Sequence, residues 1–122
     1  MTISEWNKSR WIHKDVHSLG FPYNHIHPYK QKAVKHLVDN LPQTVKNVII
    51  FGSAVRTGHL WMSDLDVCII GSVSDKTKLR YKNTVYNWLE YPSLEEIIMY
   101  KDKLCSVRRD IYTKGVMVYE LC

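Results

Sequence analysis

Cysteine is scarce in this chain, and no two cysteines stand close together. The three are Cys68, Cys105 and Cys122. An odd and widely spaced set offers neither a disulfide framework nor paired thiols at the spacing of a zinc site. We therefore expect reduced, partly buried thiols.

Long apolar runs are also missing. No segment approaches the roughly 20 residues that cross a bilayer, and Thr2–His17 is polar with scattered tryptophan, unlike a charged-then-apolar leader. These absences predict a cytoplasmic protein with no membrane-spanning part. The 122 residues are 45% hydrophobic and contain no internal repeat, which predicts one small domain over 1–122 with residues 1–28 as an N-terminal extension.

The net charge is modest and dispersed. It is +5, and the densest basic groups, Lys76–Arg80 and Arg108-Arg109, stand in or beside predicted elements. Such groups are typical of solvated faces. We expect no nucleic-acid partner, since the basic residues are spread thinly along the chain.

Hydrophobic spacing and turn residues divide the chain into helices and strands. They predict an α/β (or α+β) fold in which helices pack on a mixed sheet, with the strand polarities left open. The predicted elements are helices over Ser4–Leu19, Tyr29–Leu41, Ser74 to about Glu90 and Ser93 to Met99 or Tyr100, and strands over Val48–Phe51, Val67–Ile70, Leu104 or Cys105 to Tyr112, and Val116–Leu121.

Residues 48–71 carry the chemistry. The first strand runs into Gly52-Ser53, where free backbone N–H groups and a hydroxyl suit the oxygens of a phosphate chain. Asp64 and Asp66 flank the start of the second strand and are one residue apart, so they would share a face. Either feature alone is usually a turn or a helix cap. Together, each attached to an apolar strand, they favour a site for Mg²⁺ or Mn²⁺ and phosphoryl chemistry.

Gly52-Ser53, ten intervening residues and Asp64-x-Asp66, with Ser63 before the first aspartate, resemble the signature of the nucleotidyltransferase superfamily with a polymerase-β-like core. The segment is similar to the minimal nucleotidyltransferases of bacterial antitoxins and to aminoglycoside adenylyltransferases. Thr57, where many members have glycine, departs from the pattern.

The resemblance implies a role for each of these residues. Gly52, Ser53 and Ser63 would bind the nucleotide, and Asp64 and Asp66 would hold two Mg²⁺ ions, or Mn²⁺. It also implies a third aspartate on the strand beside Asp-x-Asp, and we predict Asp110, with Asp102 as runner-up. The alternative for Asp110 is a strand-edge residue paired with an arginine. Arg56 is either a phosphate contact or a solvent-facing loop residue.

The implied reaction is transfer of AMP, or another nucleoside monophosphate, from a nucleoside triphosphate such as ATP to a hydroxyl. The family precedent for a short stand-alone core is an antitoxin that modifies an all-helical partner of the HEPN type. Two alternatives stay open: an aminoglycoside-type enzyme with a small-molecule acceptor, and a catalytically silent nucleotide-binding or interaction module.

Several tryptophan and histidine positions apart from the signature residues have more than one interpretation. Trp6 and Trp11 either pack on the core or form an exposed face, and packing is favoured. Trp61 and Met62 either help seat an acceptor protein, close over the nucleotide base, or pack against the N-terminal helix. His25 and His27 alternate as metal ligands do, but no third ligand is near in sequence, so we predict no metal there.

Overall fold

The computed structural model of the chain describes residues 2–8, 10, 19–56, 63–88, 96–99 and 105–121. Short 3₁₀ turns at Tyr23–His25 and Gly52–Val55 connect larger elements. The helices are α1 (Ile3–Asn7), α2 (Pro28–Val38), α3 (Asp75–Trp88) and α4 (Cys105–Lys114), and the strands are β1 (Val45–Phe51), β2 (Asp66–Gly71), β3 (Glu96–Met99) and β4 (Val116–Glu120).

The four strands form one mixed sheet in the order β3-β2-β1-β4. Strand β1 is antiparallel to both β2 and β4, while β3 is parallel to β2. The centre of β1 reads Val48-Ile49-Ile50, and all three side chains are fully buried. A strand that is apolar on both faces belongs in the middle of a sheet covered on both sides. The predicted mixed sheet with packed helices is confirmed.

Each face of the sheet has its own apolar cluster, because successive side chains of a strand point to opposite faces. On one face, Val48 and Ile50 of β1 pack with Ala33, Val34 and Leu37 of α2 and with residues of α3. The other face has a smaller cluster, made by Trp6, Ile49, Phe51, Cys68, Ile111 and Met117. Helices α1 and α4 supply its cover.

Two predicted elements near the C-terminus are wrong. The helix expected to reach Met99 is the strand β3, and its Ser93–Glu95 start lies outside the described residues. Its Ile97-Ile98-Met99 run suits a strand next to β2, since strands in parallel pairing carry continuous apolar runs. The strand expected up to Tyr112 is helix α4. Val107 and Ile111 are four apart and lie on the same cluster, while Arg109 is exposed, as a helical period requires.

The N-terminal helix is also shorter than expected. Helix α1 begins after Thr2, whose hydroxyl accepts a hydrogen bond from the Glu5 backbone N–H at 3.1 Å. It ends at Asn7, and Leu19 is not helical. Residues 11–18, including Trp11, lie outside the described residues.

Side chains of α1 attach it to β4, the strand at one edge of the sheet. The Asn7 amide donates to Met117 O and accepts from Met117 N, both at 2.8 Å. The Trp6 indole donates to Gly115 O at 3.0 Å, and Trp6 is only 7% exposed. The packing predicted for Trp6 is therefore confirmed. Asn7 occupies hydrogen-bonding groups that an edge strand would otherwise present to another chain.

The described helices include none that is long and apolar enough to cross a bilayer. Cys68 is a free, fully buried thiol on β2. Burial raises its pKa to about 12, so the thiol stays protonated and unreactive near neutral pH.

Candidate functional site

The turn after β1 has the shape that the Gly-Ser pair predicts. Gly52 has φ +75°, a left-handed conformation that favours glycine, and it opens the 3₁₀ turn Gly52–Val55. The turn is closed by Arg56, whose backbone N–H donates to Ser53 O at 3.2 Å and whose Nε donates to Gly52 O at 3.1 Å. Arg56 is exposed, so its remaining guanidinium N–H groups face the surface beside the turn.

Gly52 and the carboxylate of Asp66 are in direct contact. Phe51 and Asp66 are cross-strand partners at the ends of β1 and β2, so the turn leaves β1 where Asp66 opens β2. A Cβ atom added to Gly52 would lie only 2.3 Å from Asp66 Oδ2. The missing side chain therefore provides space for the carboxylate. The two halves of the motif, separated in sequence, meet at one point.

The residues that lead into β2 complete this end of the sheet. Ser63 and Asp64 are half-buried, and Asp66 is half-buried as the first residue of the strand. Leu65, between the two aspartates, is fully buried and belongs to the larger cluster. A buried leucine fixes the backbone between the two carboxylates. Residues 57–62, with Thr57, Trp61 and Met62, lie outside the described residues.

The first turn of α2 lies against the same place. The His27 N–H donates to Ala54 O at 2.8 Å, which joins the start of α2 to the 3₁₀ turn. Lys30, one turn into this helix, is 1% exposed. Burial lowers the pKa of its ammonium group, and the charge of Asp64 opposes that shift. Lys30 is therefore a buried cation within the electrostatic reach of Asp64.

Asp110 is not on a strand next to Asp66. It lies on α4, where its carboxylate is 3.7 Å from the Lys114 ammonium group, one helical turn away. Asp110 was assigned as the third carboxylate because a strand beside Asp-x-Asp was expected there, and this expected position is wrong. The strand beside β2 is β3, and its first residue, Glu96, is the register partner of Asp66. The sequence signal was available: an acidic residue directly before Ile97-Ile98, as Asp66 stands directly before Val67-Cys68.

The histidines near α2 have structural roles. His27 is the N-cap of α2, and its Nδ1 accepts a long 3.5 Å hydrogen bond from the Tyr29 N–H. His25 is buried, which lowers the pKa of its imidazole, and it packs edge-on against Phe21. Across the described ranges, no three His, Cys, Asp or Glu side chains are grouped so as to hold a metal ion.

A family model of the nucleotidyltransferase domain matches residues 30–118. The match runs from the first turn of α2 into β4 and so includes the phosphate turn, both aspartates and Lys30. No curated protein matches the chain.

Three solved structures of toxin–antitoxin systems have the same fold. The MntA-HepT toxin–antitoxin has a TM-score of 0.52 and 15% identity over 76% of this chain and 71% of that chain. A mutant of that pair, with two aspartates one residue apart changed to glutamate, has a TM-score of 0.57 and 14% identity over 75% and 73%. A toxin–antitoxin with AMP-PNP has a TM-score of 0.60 and 16% identity over 75% and 73%.

Proposed function

The chain belongs to the nucleotidyltransferase domain family, and from that premise we propose that it transfers AMP from ATP to a hydroxyl group of a protein partner. The observation that carries the proposal is the contact between Gly52 and the Asp66 carboxylate. It puts a turn suited to phosphate oxygens against a carboxylate suited to a divalent cation.

The residues at this end of the sheet fit a divalent cation. Asp64 and Asp66 offer hard carboxylate oxygens, which Mg²⁺ and Mn²⁺ prefer. The absence of a side chain at Gly52 allows the Asp66 carboxylate to approach the turn, with Oδ2 as its closest oxygen. Asp64 and Asp66 would hold the metal, and Glu96 takes the position on the neighbouring strand at which a third carboxylate would be needed.

A bound metal would supply Lewis-acid charge that neutralises phosphate oxygens and favours ionisation of the acceptor hydroxyl. The chain itself orients the reactants. The Ser53 hydroxyl and the backbone N–H groups after Gly52 bind the β- and γ-phosphates, and the exposed guanidinium group of Arg56 adds a contact from the surface. The acceptor oxygen then attacks the α-phosphorus in line, its proton passes to solvent, and pyrophosphate leaves.

The protein acceptor is supported by the kind of structure that shares this fold. The named neighbours are toxin–antitoxin assemblies, and one contains the ATP analogue AMP-PNP. The mutant pair changes two aspartates with the spacing of Asp64 and Asp66. For this chain we propose a helical, HEPN-type protein as the partner and ATP as the nucleotide.

The test incubates the purified chain and its co-purified partner with ATP and Mg²⁺, and measures pyrophosphate release and the intact mass of the partner. Wild-type protein should add AMP to the partner. Asp64→Ala and Asp66→Ala should each reduce the rate by at least about a hundredfold, since each removes a ligand carboxylate. Asp66→Ala should stay folded, because a repulsive pair of acids is relieved. The rate of Asp64→Ala is measured per folded molecule, because this variant also removes the negative charge that acts on the buried Lys30.

Asp75→Ala is the matched control, since it removes a fully exposed carboxylate at the start of α3. It should leave the rate unchanged. ATP binding without pyrophosphate release would identify a silent nucleotide-binding module instead. Full activity in Asp64→Ala would refute the assignment of the carboxylate pair.

A further inference from the structure

Lys30 interrupts the apolar face of α2. That face contains Ala33, Val34 and Leu37, all buried, and Lys30 precedes them at helical spacing where another apolar side chain would fit. It is the largest fully buried side chain of the described residues. Burying an ammonium group is costly unless an opposite charge compensates it. A lysine at this position therefore calls for an electrostatic role.

The surroundings of Lys30 place that role at the nucleotide site. The hydrogen bond from His27 to Ala54 holds the first turn of α2 on the turn after β1. Ala54 and Leu65, which adjoin the phosphate turn and the carboxylates, belong to the apolar cluster that the rest of α2 packs on. Asp64 is the carboxylate whose charge acts on the Lys30 ammonium group.

We propose that Lys30 is a fixed internal cation of the nucleotide site, which holds Asp64 in place and makes the site prefer a metal–triphosphate complex over the free divalent cation. The preference for the metal–triphosphate complex rests on the proposed function, in which Asp64 is a metal ligand and a triphosphate is the substrate. A free divalent cation would meet the repulsion of a nearby ammonium group. A metal–triphosphate complex is a net anion and would be attracted. Lys30 is thus a positioning residue. It also determines the binding order, which is the order of the affinities of the site for the free divalent cation and for the metal–triphosphate complex.

The first experiment titrates Mn²⁺ alone, and then the Mn²⁺ complex of a non-hydrolysable ATP analogue, into wild-type protein and Lys30→Met by calorimetry. Methionine retains the length of the side chain and removes the charge. Mn²⁺ alone should bind roughly tenfold or more tightly to the variant, and the nucleotide complex should bind roughly tenfold more weakly. Lys30→Arg, which retains the charge, should restore the wild-type order.

Lys35→Met is the matched control, because it removes an equal charge from the same helix. Lys35 is exposed and paired with Asp39 at 2.8 Å. It should leave both affinities within about twofold of wild type, since exposed charges are screened. If Lys30→Met gives the same two affinities as Lys35→Met, the proposed binding order is wrong.

A second experiment does not depend on metal or nucleotide. Urea unfolding of Lys30→Met, Asp64→Asn and the double variant, without divalent cations, measures the coupling between the two side chains. Asp64→Asn should change the free energy of unfolding of the wild-type protein, and this change should largely disappear in the Lys30→Met background. Additive effects would show that Lys30 does not hold Asp64. If the wild-type protein fails to transfer AMP, the proposed function is refuted. The unfolding measurements then still test the coupling between Lys30 and Asp64.

Discussion

Gly52 combines a left-handed backbone conformation with a close contact, and the two features can be tested separately. Gly52→Ala would place a methyl group 2.3 Å from Asp66 Oδ2 at φ +75°. We expect it to displace the carboxylate, to abolish nucleotide transfer, and to lower the free energy of unfolding by about 2 to 4 kcal/mol. Pyrophosphate release and urea unfolding measure the two effects.

Gly20→Ala is the control for backbone strain alone. Gly20 has φ +92°, and a Cβ atom there would meet nothing within 4 Å. It should cost only about 1 to 2 kcal/mol and leave transfer intact. Equal stability losses for the two variants, with transfer retained by both, would contradict the role assigned to the Gly52 contact.

At the scale of single residues, sequence reasoning predicts what local chemistry determines. Gly52 and Asp66 meet as the motif predicts, because a strand, a turn and a strand bring them together. The roles of Ser53, Ser63 and Asp64 stay predictions. Lys30 was missed. A lysine in a helix is normally a surface residue, and its burial depends on where the helix packs.

Among the elements of the fold, too, those with a strong local pattern were predicted and those that depend on tertiary contacts were not. The strands β1 and β2 and the helices α2 and α3 were predicted within a few residues, since each has a strong local period. The segment that forms β3 was predicted as a helix, and the segment that forms α4 was predicted as a strand. A capping-box pattern resembled a helix start before Glu96, and two arginines between Val107 and Ile111 resembled strand alternation. Pairing of β3 with β2 and packing of α4 under β1 decided both, and neither contact is encoded locally.

The attachment of α1 to β4 gives a stability prediction at this scale. Asn7→Ala removes both hydrogen bonds to Met117, a residue that is 3% exposed, and leaves a buried N–H and C=O without those partners. The free energy of unfolding should fall by about 2 to 4 kcal/mol in urea denaturation.

Asn83→Ala provides the comparison, because Asn83 is exposed on α3. It should change stability by less than about 0.5 kcal/mol. A loss for Asn7→Ala as small as that of Asn83→Ala would mean that α1 does not stabilise the edge of the sheet.

For the whole molecule, the prediction concerns the approach of the acceptor to the site. Trp61 lies in the sequence between the phosphate turn and the two aspartates, and we propose that it contacts the partner. Trp61→Ala should reduce transfer to the partner by roughly tenfold or more. The midpoint of thermal unfolding should remain within about 2 °C of wild type, since little core is lost.

Trp6→Ala is the contrasting variant, since Trp6 is buried against β4. It should lose about 3 to 5 kcal/mol of stability, with transfer per folded molecule unchanged. A Trp61→Ala variant that behaves like Trp6→Ala would identify Trp61 as a core residue and refute the docking role.

The hydrogen bonds between α1 and β4 join residues 109 and 110 positions apart in sequence. During synthesis Trp6 and Asn7 leave the ribosome long before the segment that binds them, which is 109 to 110 residues later in the chain. Trp6 therefore stays exposed until β4 has emerged, and β1 lacks its second neighbour until the same moment. Folding of this domain on the ribosome should thus be completed only after β4 has emerged, which leaves a period in which a chaperone or the proposed protein partner can bind the unfinished edge.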